Sequence, residues 1–193
     1  MVWLDRTKCT ACSACVDACP HEAVVFPGYT GEEVAAHVEA LLDPTVGPRG
    51  RRGIAYVCEG ASWDPSWHPA WLPVSVACVN WIPSSWILAP LLRGAACVAV
   101  APCTCGRAEA AGGLVERRLD FCEGYVRTLG LGETRVHRAP LSVAPPEEPL
   151  PRGGDEGTLF GTGPEVAAGV LQRLAEVAGR SSGSSTPPPP CGS

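Results

Sequence analysis

Apolar positions along the chain recur at two different periods, and the switches between them predict an alternation of strands and helices. Val34, Val38, Leu41 and Leu42 stand at helical spacing behind Thr30-Gly31-Glu32-Glu33, which has the form of a capping box, and Asp43-Pro44 stops the pattern. One amphipathic helix is therefore expected over 31–42. Short apolar runs of strand length follow at 54–57, 74–79 and 97–101, with a helical segment at 84–92 between the second and third. A longer helix is expected over 107–129. Val115, Leu119, Cys122, Val126 and Leu129 form its stripe, and Gly130 is placed as a left-handed cap. Residues 135–141 read as a further strand. A last helix begins behind Thr162-Gly163-Pro164-Glu165 and carries Val166, Val170, Leu174 and Val177. This β-α-β rhythm predicts the α/β class, with a small open, mainly parallel sheet flanked by helices in the flavodoxin or Rossmann manner.

The segments between these elements divide the chain. Residues 44–53 (PTVGPRGRRG) lack any apolar period and have the composition of an exposed connector. Residues 142–160 are rich in Pro, Gly and Glu, a length of loop that predicts mobility. From 180 onward Ser, Gly and four consecutive prolines cannot bury a core, so a disordered tail is expected to 193. The expected organisation is a cysteine-rich segment plus helix over 1–43, a connector over 44–53, an α/β domain over 54–179, and the tail. Residues 2–4 and 23–26 read as short strand-like runs flanking the first cysteines.

Composition narrows the function classes. The chain has 193 residues, 46% of them hydrophobic, and a net charge of -5, which suits one main globular core and argues against nucleic acid as partner. Only Lys8 among the 15 basic residues is a lysine, and the arginines are scattered rather than gathered into a stripe. Residues 65–92 hold no Asp, Glu, Lys or Arg, yet Pro65, Pro69, Pro73, Pro83 and Pro90 interrupt them, so a membrane-spanning helix is not expected. Eleven cysteines without a recognisable secretory leader favour thiolates bound to metal in a reducing cytoplasm over disulfides. No dinucleotide fingerprint, Walker run or nucleophile elbow occurs. His21, His37, His68 and His137 show no mutual spacing that suggests a site and are expected on the surface or in loops.

The cysteines carry the chemistry. Cys9, Cys12, Cys15 and Cys19-Pro20 reproduce C-x2-C-x2-C-x3-C-P, a spacing at which successive thiolates wrap one [4Fe-4S] cubane. Zinc sites present two separated pairs instead. In two-cluster ferredoxins the fourth cysteine of such a run ligates the other cluster, and only one run is present here. Either Cys19 closes the same cluster, or a fourth ligand comes from elsewhere.

A second group comes from distant positions. Cys58, Cys78 and Cys103 each fall at an expected strand end, where the crevice of an open parallel sheet gathers ligands, and Cys105 lies two residues past Cys103. Four thiolates there suit a [2Fe-2S] cluster or a zinc ion, the cluster being favoured. Cys97 and Cys122 fall on buried patterns and are expected in the core, and Cys191 lies in the tail. Trp63, Trp67, Trp71, Trp81 and Trp86 crowd into a proline-rich stretch in place of the helix expected between the first two strands. They read either as an aromatic docking surface or as packing over the sheet.

Val76-Ala77-Cys78-Val79-Asn80-Trp81, the run from Leu92-Arg93-Gly94 through Ala101-Pro102-Cys103, and Arg127-Thr128-Leu129-Gly130-Leu131 stand out within the region from 54 to about 141. Through them this region resembles the delta subunit of methyl-viologen-reducing hydrogenase. The resemblance implies a [2Fe-2S] cluster in a small α/β domain. It also implies electron relay between a hydrogenase or formate dehydrogenase and a flavoprotein of the heterodisulfide reductase type, with no chemistry of its own. A contrasting expectation is an iron-sulfur or redox sensor without electron throughput. A thiol enzyme using Cys58 is disfavoured, because no His or basic partner near it in sequence would lower its pKa.

Overall fold

The computed structural model of the chain describes residues 7–9, 14–17, 19, 21, 23–25, 28–46, 50–59, 61, 64–103, 113–138, 141–152 and 159–182. Strands β1 (Gly53–Cys58), β2 (Trp71–Val76), β3 (Cys97–Val100) and β4 (Val136–Arg138) form one sheet in the order β2-β1-β3-β4, and every pairing is parallel. Helices α1 (Ala14–Asp17), α2 (Gly31–Leu42), α3 (Ser84–Leu92), α4 (Leu114–Thr128) and α5 (Pro164–Ser182) complete the described elements. The expected α/β class holds, with a sheet that is wholly parallel and in flavodoxin-type order.

Alternation along the strands splits the core in two. Ile54, Tyr56 and Cys58 of β1, Val74 and Val76 of β2, and Val98 and Val100 of β3 face one cluster, to which α2, α3, α4 and α5 all contribute. Ala55, Cys97 and Ala99 face the other way, with Ala96 and Leu141, against Trp71 and the half-buried Trp67. The small residues on that face leave room for an indole. Gly53 belongs to it, and a Cβ there would stand 2.4 Å from the Trp71 ring, so glycine is required by the close approach. Loop packing thus replaces a helical layer on this side.

Local chemistry sets the helix ends. The Thr30 hydroxyl accepts from Glu33 N–H at 3.3 Å, while the Glu33 carboxylate accepts from Thr30 N–H at 2.8 Å, completing the capping box on α2. After α4, Gly130 takes φ +68°; its N–H donates to Arg127 O and Leu131 N–H donates to Val126 O, the paired bonds of a Schellman motif. Helix α3 contains Pro90, which has no N–H to offer the carbonyl of Trp86 four residues earlier. The fully buried Tyr56 hydroxyl donates to that carbonyl at 2.8 Å instead. A strand side chain therefore satisfies the bond that the proline removes.

Several expectations are corrected. The strand expected over 74–79 forms over Trp71–Val76, because Val79–Trp81 closes a 3-10 turn that takes the chain out of the ladder. The strand expected over 135–141 is confined to Val136–Arg138. Residues 23–25 pair with no strand among the described residues, and residues 2–4 lie outside them. The expected start of the long helix at 107 also lies outside, and α4 is described from Leu114. Helix α5 runs to Ser182, past the expected start of the tail, whose remainder from 183, with Cys191, is not described.

The loop expected to be mobile is held down over its described part. Val143 O accepts from Trp71 Nε1 at 2.8 Å, Pro146 O from Arg51 at 2.9 Å, and Glu148 O from Arg135 at 2.7 Å. The Glu147 carboxylate accepts from the Thr134 hydroxyl at 2.8 Å. Composition predicted mobility, but arginines distant in sequence supply donors for its carbonyls. On the N-terminal side, Arg52 donates to the carbonyls of Leu41, Leu42, Asp43 and Val46, fastening the carboxyl end of α2 beside the start of β1. No described helix is long and apolar enough to cross a membrane.

Candidate metal centre

The winding of the sheet creates a crevice at the carboxyl ends of β1 and β3. The β1–β2 connection carries Trp67 to one face, whereas α3 and α4 follow β2 and β3 on the other. The loops leaving β1 and β3 therefore diverge, which is the condition for a ligand crevice at a topological switch point. Three cysteines are found there. Cys58 ends β1, Cys78 lies two residues past β2, and Cys103 three residues past β3.

Their sulfur atoms converge. The three Sγ atoms all lie within 4.8 Å of one another, and Cys78 Sγ is 3.8 Å from Cys103 Sγ. Two thiolates bound to one tetrahedral ion at about 2.3 Å stand about 3.8 Å apart, so this spacing fits a shared metal. Cys58 and Cys78 are buried and Cys103 is half-buried. Cys58 Sγ also accepts the Val79 N–H at 3.5 Å, a bond that favours the thiolate form. Soft sulfur donors in a mostly buried crevice suit zinc or an iron-sulfur cluster over a hard cation. Cys105, the expected fourth ligand, lies outside the described residues.

Backbone bonds past the strand ends hold the three sulfurs in place. Ala101 N–H donates to Tyr56 O at 2.9 Å and Glu59 N–H to Val76 O at 2.6 Å, continuing the ladders beyond their last paired residues. Trp81 N–H donates to Cys78 O at 2.9 Å, closing the turn that carries Cys78.

Three of the four N-terminal cysteines are among the described residues. Cys9 and Cys15 are exposed, Cys19 is half-buried, and Cys12 is outside the described residues. Cys19 Sγ accepts the Ala23 N–H at 3.3 Å, again a donor suited to a thiolate ligand. Val16, next to Cys15, is only 4% exposed. With Val24 and Val25 it faces Val76, Ala77, Cys78 and Trp81 across a cavity of ≈ 40 Å³. A space that small has room for little more than a water or two. On the other flank a crevice of ≈ 360 Å³ borders Cys103, with Asn80, Glu116 and Arg138 among its lining residues.

Cys97 and Cys122 are core residues, as expected. Burial pushes the Cys97 thiol up to about 11 and the Cys122 thiol up to about 12. The reading of the tryptophans as a docking surface is corrected: Trp71 and Trp86 are buried, Trp67 and Trp81 are half-buried, and Trp63 is outside the described residues. His137 is corrected too. It sits in β4, half-buried with its ring edge-on to Trp71 at 5.3 Å, and burial lowers its pKa.

One residue of the site was not anticipated. Arg118 of α4 is 6% exposed, and its Nη1 donates to Asn80 O and Ile82 O at 3.0 Å each, bracing the turn after Cys78. The signal was an arginine three residues after Val115 and four before Cys122, on the apolar stripe of the helix.

Comparison with known families gives two matches. Residues 2–25 match the 4Fe-4S binding domain, and residues 61–149 match the family of the methyl-viologen-reducing hydrogenase, delta subunit. No curated protein and no solved structure matches the chain. Cys78, Cys103 and Cys105 fall inside the second matched range and Cys58 just before it. Similarity to a 4Fe-4S binding domain over 2–25 and to the hydrogenase delta-subunit family over 61–149, with three thiols gathered at the switch point, supports an iron-sulfur electron-transfer subunit.

Proposed function

We propose that the chain relays electrons between two iron-sulfur centres within a larger redox complex. Cys9, Cys12, Cys15 and Cys19 hold a [4Fe-4S] cluster. Cys58, Cys78, Cys103 and Cys105 hold a [2Fe-2S] cluster, which supplies one-electron storage at the sheet end. The observation that carries the reading is the convergence of Cys58, Cys78 and Cys103, whose sulfurs lie within 4.8 Å of one another, in a chain whose residues 2–25 match a 4Fe-4S binding domain. Clusters bound at the two groups would let electrons pass through the chain. The external partners in this reading are a hydrogenase or formate dehydrogenase on one side and a heterodisulfide-reductase-type flavoprotein on the other, in the cytoplasm. The division of the chain in this reading is a four-iron segment and α2 over 1–43, a connector over 44–52, a delta-subunit-like unit over 53–182, and a tail from 183.

The test is anaerobic purification with iron and acid-labile sulfide analysis, followed by EPR of the reduced protein. Six irons per chain and two distinct signals are expected. Replacing Cys78 by Ser should abolish the two-iron signal and leave the four-iron signal. Zinc at the strand ends, or a two-iron signal unchanged in Cys78→Ser, would overturn the assignment.

A further inference from the structure

We infer that Arg118 is a positioning residue for the strand-end thiolate site, holding the turn that carries Cys78 and directs the Val79 amide to Cys58. The inference rests on the reading of those thiolates as metal ligands. Cys58 is fixed by β1 itself, but Cys78 has left its ladder and depends on the 3-10 turn behind it. That turn spans three residues, and its closing bonds include Trp81 N–H to Cys78 O at 2.9 Å and Ile82 N–H to Val79 O at 3.3 Å. Short 3-10 turns have poor hydrogen-bond geometry and need outside support.

Arg118 supplies it from α4. Its guanidinium bridges Asn80 O and Ile82 O at 3.0 Å each, tying the middle of the turn to its exit. The Val79 N–H is thereby presented to Cys58 Sγ at 3.5 Å, and Cys78 Sγ is set 3.8 Å from Cys103 Sγ. Leu119, Cys122 and Val126 anchor the same helix in the core, so the donor is presented from a rigid element. Loss of such an outer partner costs metal sites about 10–100-fold in affinity.

The experiment uses the full chain with Cys9, Cys12, Cys15 and Cys19 replaced by Ser, so that the strand-end group is the main remaining thiolate site. Anaerobic titration with Co2+ reads affinity from the sulfur-to-cobalt charge-transfer band and geometry from the ligand-field bands. Arg118→Gln should weaken Co2+ binding about 10–100-fold and shift the ligand-field bands, with Arg118→Lys falling between it and the parent. Near-UV circular dichroism and melting temperature are measured on each. Should Arg118→Gln fail to fold, Arg118→Lys decides, and parent-like affinity and bands in it overturn the inference. A lowered melting temperature with unchanged affinity and bands in folded Arg118→Gln means a structural role alone and also overturns it. Failure of the parent to bind Co2+ refutes the metal-site reading itself and is thereby distinguishable.

Discussion

Replacing Tyr56 by Phe tests whether a strand hydroxyl takes the place of a helical amide. Trp86 O would ordinarily accept from the residue four positions on, which is Pro90, and Tyr56 Oη donates to it at 2.8 Å in a fully buried setting. Tyr56→Phe leaves that carbonyl buried without its donor, at a cost of about 1–3 kcal/mol. For a chain of this size, about 2–4 °C of melting temperature goes with each kcal/mol, so a fall of roughly 2–12 °C is expected. The decisive measurement is a double-mutant cycle with Pro90→Ala, which returns an N–H to position 90. Trp86 O then keeps a donor when Tyr56 loses its hydroxyl, and Tyr56→Phe should cost about 1 kcal/mol less in that background than in the parent. Urea unfolding followed by circular dichroism on the four proteins gives the coupling. Additive costs, within about 0.5 kcal/mol, would refute the substitution of one donor for the other.

Two further outcomes follow from local chemistry. Iodoacetamide at pH 8, applied to folded protein stripped of any cluster, should leave Cys97 and Cys122 unmodified while it labels exposed Cys9 and Cys15, because burial holds the first two thiols at about 11 and about 12; peptide mass spectrometry that finds Cys122 labelled in the folded protein contradicts this. Hydrogen bonds from the Thr30 N–H and hydroxyl hold the Glu33 carboxyl below its ordinary value of 4.5. A depressed carboxyl stabilises the fold above its unfolded pKa, and that contribution is lost as pH falls through the folded value. Thermal melts from pH 6 to pH 3 should therefore fall less steeply for Glu33→Gln than for the parent.

What could be read from the sequence was what short-range chemistry decides. The capping box at Thr30 and the cap at Gly130 form as expected, since every partner lies within a few residues. The three cysteines at strand ends were also legible, because the alternating pattern located the strands and the parallel order brings their carboxyl ends together. The end of β2 was not. Val79 extends an apolar run, yet the turn that removes it from the ladder is braced by Arg118, nearly forty residues away. The 142–160 loop failed as an expectation for the same reason: proline and glycine content describes the isolated segment, whereas Arg51, Arg135 and Trp71 hold it in the fold. The tryptophans could be read either as a surface or as packing, and only the sheet reveals Ala55, Cys97 and Ala99 as the floor on which an indole packs.

The two cysteine groups differ in when they can exist. Cys9 to Cys19 span eleven positions, close enough for a partly synthesised, still unfolded chain to capture metal. Cys58, Cys78 and Cys103 come together only after β3 has taken its place beside β1, since the partners are separated by up to 45 positions and each is delivered by a different strand. An ion seated among them would bind the finished sheet and not its precursors, and so would act as a cross-link that selects the native winding. Under the proposed function, the local site could be loaded first, and the strand-end site only once the sheet is assembled.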